Sequence, residues 1–147
     1  MAASEHQATL ESDEFAELLA YCCPEFDALE RVAVAVSGGP DSMALAALLH
    51  NSVTANNAGP ELHLITVDHG LRVEAAQEAR HVENGVSKWQ HTRHVTLRWT
   101  GAKPETGVQE AARRARYRLI GDYCHNQNIG HVFMAHHADD QAETVLF

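Results

Sequence analysis

The sequence predicts an α/β fold in the form of a doubly wound parallel sheet. Two observations carry that prediction. From residue 31 onward, short apolar runs of β type alternate with longer helical patterns, and repeated β-α units close as parallel sheets with right-handed crossovers. The first of these runs, Val32–Val36, also passes through a glycine turn straight into a helical pattern, as the first unit of such a sheet does. A chain of 147 residues suits one sheet of this kind.

The elements follow in order. Residues 1–30 read as an acidic N-terminal appendage: Ser12-Asp13 can cap a short helix that turns Phe15, Leu18 and Leu19 inward, and Pro24 stops it. The remaining residues, 31–147, read as one nucleotide-binding domain. Its pattern is a strand over 31–36, a helix over 41–52, and a turn through Asn56-Asn57-Ala58-Gly59-Pro60. A strand over 62–67, a helix over 74–90 and a strand over 92–97 come next. A loop over 101–106, a helix over 108–126, a strand over 131–135 and the start of a helix at Asp139 complete it.

The segment Ser37-Gly38-Gly39-Pro40-Asp41-Ser42 has the make-up of an anion-binding turn. A strand–turn–helix aims backbone N–H groups and the positive end of a helix dipole at one point, which suits a phosphate. Gly38 and Gly39 give the backbone freedom and keep Cβ atoms out of the anion's way, Pro40 suits the first helical position, and Ser37 and Ser42 add hydroxyl donors. The Walker pattern G-x-x-x-x-G-K-[ST] is absent. In place of its lysine stands a carboxylate, Asp41, which makes sense beside a phosphate if Mg²⁺ lies between them.

Ser37–Ser42, Asp68–Arg72, the Trp99–Thr106 loop and His136–Asp140 all fall just beyond the carboxyl ends of predicted strands. In open α/β sheets ligands bind along that edge, so these residues are expected to share one crevice. There the carboxylate of Asp140 could hold a metal or abstract a proton, and the imidazole of His136 could meet phosphate or shuttle a proton. Thr66 and Val67 would flank a base, with His69 and Arg72 near the crevice. Among the helical arginines 113, 114, 116 and 118, Arg113 or Arg116 could reach a phosphate; as a plain alternative, all four form a solvated face. Asp68 and His69 could equally just cap a turn, and Trp89 and Trp99 read as packing residues.

The Ser37–Ser42 segment resembles the pyrophosphate loop of the ATP pyrophosphatases, which adenylate a substrate and release pyrophosphate. Three further segments, Val67-Asp68-His69-Gly70-Leu71-Arg72, Gln109–Tyr117 and Ala135-His136-His137-Ala138-Asp139-Asp140-Gln141-Ala142-Glu143-Thr144, are similar in order and spacing to the tRNA(Ile)-lysidine synthetases. That resemblance spans residues 31–147. It implies ATP with Mg²⁺ as cofactors and tRNA(Ile) with a CAU anticodon and free L-lysine as partners. In the implied reaction, lysine is joined to C2 of the wobble cytidine through an adenylated intermediate. Carried over residue by residue, it implies Asp41, His136 and Asp140 as catalytic and Asp41 and Asp140 as metal ligands. Ser37, Gly38, Gly39, Pro40, Asp41, Ser42, Val67, His69 and Arg113 are then nucleotide contacts, and a homodimer is allowed. Such enzymes continue well past the position of Phe147, so the domain is expected to be incomplete at its C-terminus and the 147-residue chain inactive alone.

Other readings stay open on the residues. A tRNA 2-thiocytidine synthetase shares much of the loop but is expected to bring a C-x-x-C pair, which Cys22, Cys23 and Cys124 do not form. A di-metal phosphoesterase could use Asp68, His69, His136, His137, Asp139 and Asp140, although it leaves the glycine turn without a role. A nucleotide-binding module without chemistry is the third. The net charge of −9 divides unevenly, with −8 on residues 1–30 and −1 on the rest, so the domain itself is nearly neutral and neither demands nor excludes RNA. No apolar run approaches the ~20 residues of a membrane span and no signal-peptide pattern opens the chain, so a cytoplasmic location without membrane contact is expected. Three cysteines, two of them adjacent, suggest no disulfide framework.

Overall fold

The computed structural model describes residues 12–135. Its strands are β1 (Arg31–Ala35), β2 (Glu61–Asp68), β3 (Thr92–Arg98) and β4 (Val132–Met134), and its helices are α1 (Ser12–Cys22), α2 (Pro40–Asn56), α3 (Val73–Val86) and α4 (Val108–Asn126). A 3₁₀ turn, Phe26–Ala28, leads from α1 into β1. The four strands form one sheet in the order β3-β2-β1-β4, and every pairing is parallel. Val34 lies between Leu64 on one side and Phe133 on the other.

Alternation along the strands sorts the apolar residues onto two faces. Val32, Val34 and Val36 of β1 and its exit, with Leu62 and Leu64 of β2, face Leu49 and Val53 of α2 and Val82 and Val86 of α3. The same cluster takes in Phe15 and Leu19 of α1, Cys23 and Phe26, so the acidic segment packs on the sheet. Ala33 and Ile65 point the other way, toward Ile120 and Cys124 of α4 and toward Ile129. Helices on both faces make the sheet doubly wound, as the alternation predicts.

The order of strands explains the sides. Crossovers from β1 to β2 and from β2 to β3 advance in one direction, whereas the crossover from β3 through α4 returns past both to reach β4. With right-handed connections, a reversal of direction puts α4 on the opposite face and leaves a switch point between β1 and β4. Ligands in such sheets bind at the carboxyl edge of that point.

Several predicted details change. Leu18 is 51% exposed rather than inward, because at 100° per residue it lies off the arc occupied by Phe15, Leu19 and Cys23. Helix α2 runs to Asn56, and α3 ends at Val86, short of 90, where the Trp89 N–H bonds to the Val86 carbonyl in a turn. His91, at φ 55°, then leads the chain into β3. Trp89 packs partly buried against the core and stacks on His50 with ring centroids 4.6 Å apart, a packing role as expected. No helix among the described residues is long and apolar enough to cross a membrane.

Candidate nucleotide site

The turn between β1 and α2 owes its shape to two serines. Ser42 Oγ accepts the Ser37 backbone N–H at 3.1 Å and donates to the Gly39 carbonyl at 3.1 Å. Its oxygen lies 3.2 Å from Ser37 Oγ, which in turn accepts the Gly39 N–H at 3.3 Å. These hydroxyls are therefore engaged inside the turn, and an anion placed there would draw on backbone N–H groups at the start of α2. Gly38 sits at φ 90°, a conformation that favours glycine, while Gly39 is extended at φ −70°, ψ 161° and needs no such freedom. Pro40 opens α2 with Gly39 as N-cap, and Asp41 stands exposed in its first turn.

This turn borders a cleft of about 900 Å³ at the carboxyl edge of the sheet, within the roughly 300–1,000 Å³ typical of small-molecule sites. Of the residues singled out from the sequence, Ser37, Ser42, Val67, His69 and Arg113 line it, as do Thr66 and Arg72. Gly38 and Gly39 of the turn and Pro40 and Asp41 at the start of α2, which lie between the two lining serines, are not themselves among the lining residues. His136, His137, Asp139 and Asp140 lie outside the described residues; Ala135, directly before them in sequence, lines the cleft. Thr66 is only 4% exposed and its hydroxyl pairs with His94 Nε2 at 2.9 Å, which leaves Val67 as the more accessible wall.

Helix α4 divides its arginines between two environments. Arg114 is exposed and pairs with Glu110 at 3.3 Å, and Arg118 is exposed, whereas Arg113 and Arg116 are half-buried and line the cleft. Arg113 also meets Glu110 at 3.4 Å, and the guanidinium carbons of Arg113 and Arg116 lie 5.7 and 5.1 Å from the Tyr117 ring centre. The Nε of Arg116 and the Nδ1 of His69 are buried with no hydrogen-bond partner among the described residues. Burial lowers the pKa of His69, and the positive charge of Arg116 lowers it further, so its imidazole is neutral at pH 7.

Two expectations fail here. The Trp99–Thr106 loop does not line the cleft among the described residues; Lys103 Nζ donates to the Trp99 carbonyl at 2.6 Å and lies over the Trp99 ring at 4.4 Å, folding the loop on itself. Asp68 does not line it either, because Asp68 Oδ1 accepts the Gly70 N–H at 2.9 Å and caps that turn. Sequence reasoning missed Glu78, which lines the cleft beside Gly38, and the Met134 wall from β4. Glu78 sits on an amphipathic helix among other acids, where nothing in the sequence marks it apart.

Residues 9–147 match the family model of a PP-loop domain. The chain is 46% identical over 146 residues to a tRNA(Ile)-lysidine synthase of Rhodopseudomonas palustris, covering 99% of this chain and 40% of the relative. It is 48% identical over 122 residues to a tRNA(Ile)-lysidine synthase of Bradyrhizobium diazoefficiens, covering 83% of this chain and 34% of that protein. The chain thus spans well under half the length of these curated relatives. Among solved structures it is similar to the U34-tRNA thiolase NcsA of Methanococcus maripaludis with its 4Fe-4S cluster, at a TM-score of 0.65 and 17% identity, over 76% of this chain and 40% of that one. At that identity the likeness is one of fold.

Proposed function

Because the chain belongs to the PP-loop domain family, we propose that it supplies the ATP site of a tRNA(Ile)-lysidine synthase. The observation that carries this reading is the convergence on a cleft bordered by the phosphate-type turn of two buried atoms, Arg116 Nε and His69 Nδ1, that have no hydrogen-bond partner among the described residues. Buried polar groups without partners are uncommon unless a ligand meets them. A triphosphate offers acceptors to the turn and to the arginines, and the apolar Val67 and Met134 suit the flat face of a base.

In this reading ATP lies with its phosphates over residues 37–42 and its base toward Val67. The C2 oxygen of the wobble cytidine attacks the α-phosphate, pyrophosphate leaves, and the ε-amine of lysine then displaces AMP from C2. Adenylation turns a poor leaving oxygen into a good one. The start of α2 and the Arg113 and Arg116 guanidiniums stabilise charge that develops on the phosphates. His69, neutral, is suited to a hydrogen bond with the nucleotide rather than to ion pairing.

Asp41 in the first turn of α2 and Glu78 on the cleft wall offer hard oxygen donors of the kind Mg²⁺ takes, and Asp140 is the third candidate. A divalent ion there would offset charge on the departing pyrophosphate. His136 and Asp140 remain the proposed acid–base pair. The described geometry weighs against the other readings: none of the three cysteines lines the cleft, as a thiolation role would favour, and Asp68 is spent on its turn rather than offered to a metal pair.

The test is a chimera in which residues 1–147 replace the matching segment of the Rhodopseudomonas palustris relative. With tRNA bearing a CAU anticodon, it is expected to release pyrophosphate from ATP. Asp41→Ala, at an exposed position, is expected to abolish release while leaving the far-ultraviolet circular dichroism unchanged. Full release by the Asp41→Ala chimera would remove Asp41 from the mechanism, and cleavage to ADP and phosphate would remove the adenylation reading.

A further inference from the structure

The end of β4 away from the cleft brings together a thiol, a carboxylate and an imidazole. One ligand atom from each of Cys23, Glu25 and His131 lies within 4.8 Å of the other two. The backbone fixes each donor. The Cys23 N–H bonds to the Leu19 carbonyl at 2.8 Å as α1 ends, and the His131 carbonyl accepts the Ala33 N–H at 3.0 Å as β4 begins. Glu25 precedes the 3₁₀ turn, where Phe26 meets Phe133 of β4 edge-on at 5.9 Å and holds the two segments in place. Glu25 Oε1 and His131 Nε2 already meet at 2.8 Å.

We propose that Cys23, Glu25 and His131 form a binding site for a divalent ion of the zinc class, apart from the nucleotide cleft. A thiolate with an imidazole and one carboxylate suits Zn²⁺ or Co²⁺ and not Mg²⁺, which prefers oxygen alone. Metal–ligand bonds of roughly 2.0–2.3 Å place tetrahedral ligand atoms about 3.3–3.8 Å apart. The donor set reaches that spacing by small moves: its widest separation of at most 4.8 Å closes, and the Glu25–His131 pair at 2.8 Å opens. Cys23 is 4% exposed, whereas the Glu25 and His131 side chains are 50% and 38% exposed. The protein thus closes one side of the site and leaves the fourth position to water. As the sulfur–metal bond forms, the thiol proton passes to solvent. The bound ion would tie the segment after α1 to β4 across 106 residues of sequence.

Cobalt titration of the 147-residue chain tests this, because a thiolate-to-cobalt charge-transfer band reports sulfur ligation even though the chain's 11 histidines can bind metal elsewhere. The band is expected in the wild type and absent in Cys23→Ala, with Zn²⁺ raising the Tm of the wild type alone. Glu25→Gln and His131→Gln, at partly exposed positions that spare the core, are expected to weaken cobalt binding by at least the about tenfold that even an outer partner of a ligand is worth. A wild type with no band, a band that survives in Cys23→Ala, or full affinity in both Glu25→Gln and His131→Gln would overturn the proposal.

Discussion

Of the two hydroxyls that hold the turn after β1, the buried one is Ser42 Oγ, which takes the Ser37 N–H and gives to the Gly39 carbonyl, at 6% exposure of the residue. Ser42→Ala removes the partner of the Ser37 N–H, which water can replace at that exposed residue, so it is expected to cost about 0.5–1.5 kcal/mol in urea unfolding. It should also weaken ATP binding in the chimera, measured by calorimetry. An unchanged midpoint would show the hydroxyl to be dispensable. The histidines set a pH dependence. Burial depresses the pKa of His63, His69 and His94, so each stays neutral when folded at a pH where the unfolded chain already takes up a proton. Below about 6.5 the unfolded state binds more protons, and stability falls as pH drops from there through the lower folded values. Urea midpoints should therefore be level near neutrality and decline from about pH 6.5 toward the acid side; a midpoint that rises on acidification would contradict the assignment.

Helix α4 shows how far an element can be read before it is seen. Its bounds, 108–126, are those expected from the pattern, because its apolar residues recur with helical spacing and Gly107 precedes it at φ 65°. Which of its four arginines turn inward was not legible, since that depends on the angle at which the helix lies across β2 and β3. Arg113 and Arg116 lie one turn apart on the cleft side, beside the buried Ala112 and Ala115, while Arg114 and Arg118 face solvent. Arg113→Ala and Arg116→Ala should each weaken ATP binding by about 10- to 100-fold, in keeping with the 1.5–3 kcal/mol of a charged hydrogen bond. Arg114→Ala and Arg118→Ala should leave it within about twofold, as solvated surface pairs contribute little. Equal losses at all four positions would mean that the helix attracts the nucleotide by general charge alone. The turn was legible for the opposite reason: glycine, proline and serine at fixed offsets after an apolar strand specify backbone geometry locally. Even so, the sequence suggested freedom at both glycines, and the structure requires it only at Gly38.

At the scale of the molecule, the strand order β3-β2-β1-β4 decides where chemistry can occur. The reversal between β1 and β4 opens the cleft, and the elements after β1, β2 and β3 deliver the serine turn, His69 and α4 to it. That convergence follows from parallel topology and could be anticipated from motif positions alone. The fold of the Trp99–Thr106 loop could not, because it hangs on one lysine that bonds two carbonyls of its own loop. The acidic N-terminal segment, whose charge set it apart in sequence, contributes Phe15, Leu19 and Phe26 to the shared core. The measurement that tests the functional account most directly is incorporation of labelled lysine into tRNA with a CAU anticodon by the chimera, with ATP and Mg²⁺. Lysine should enter the tRNA only when ATP is present, and none should enter when Asp41 is replaced by alanine. A folded chimera that cleaves ATP to AMP and pyrophosphate yet transfers no lysine would contradict it and move the substrate to another base or another nucleophile.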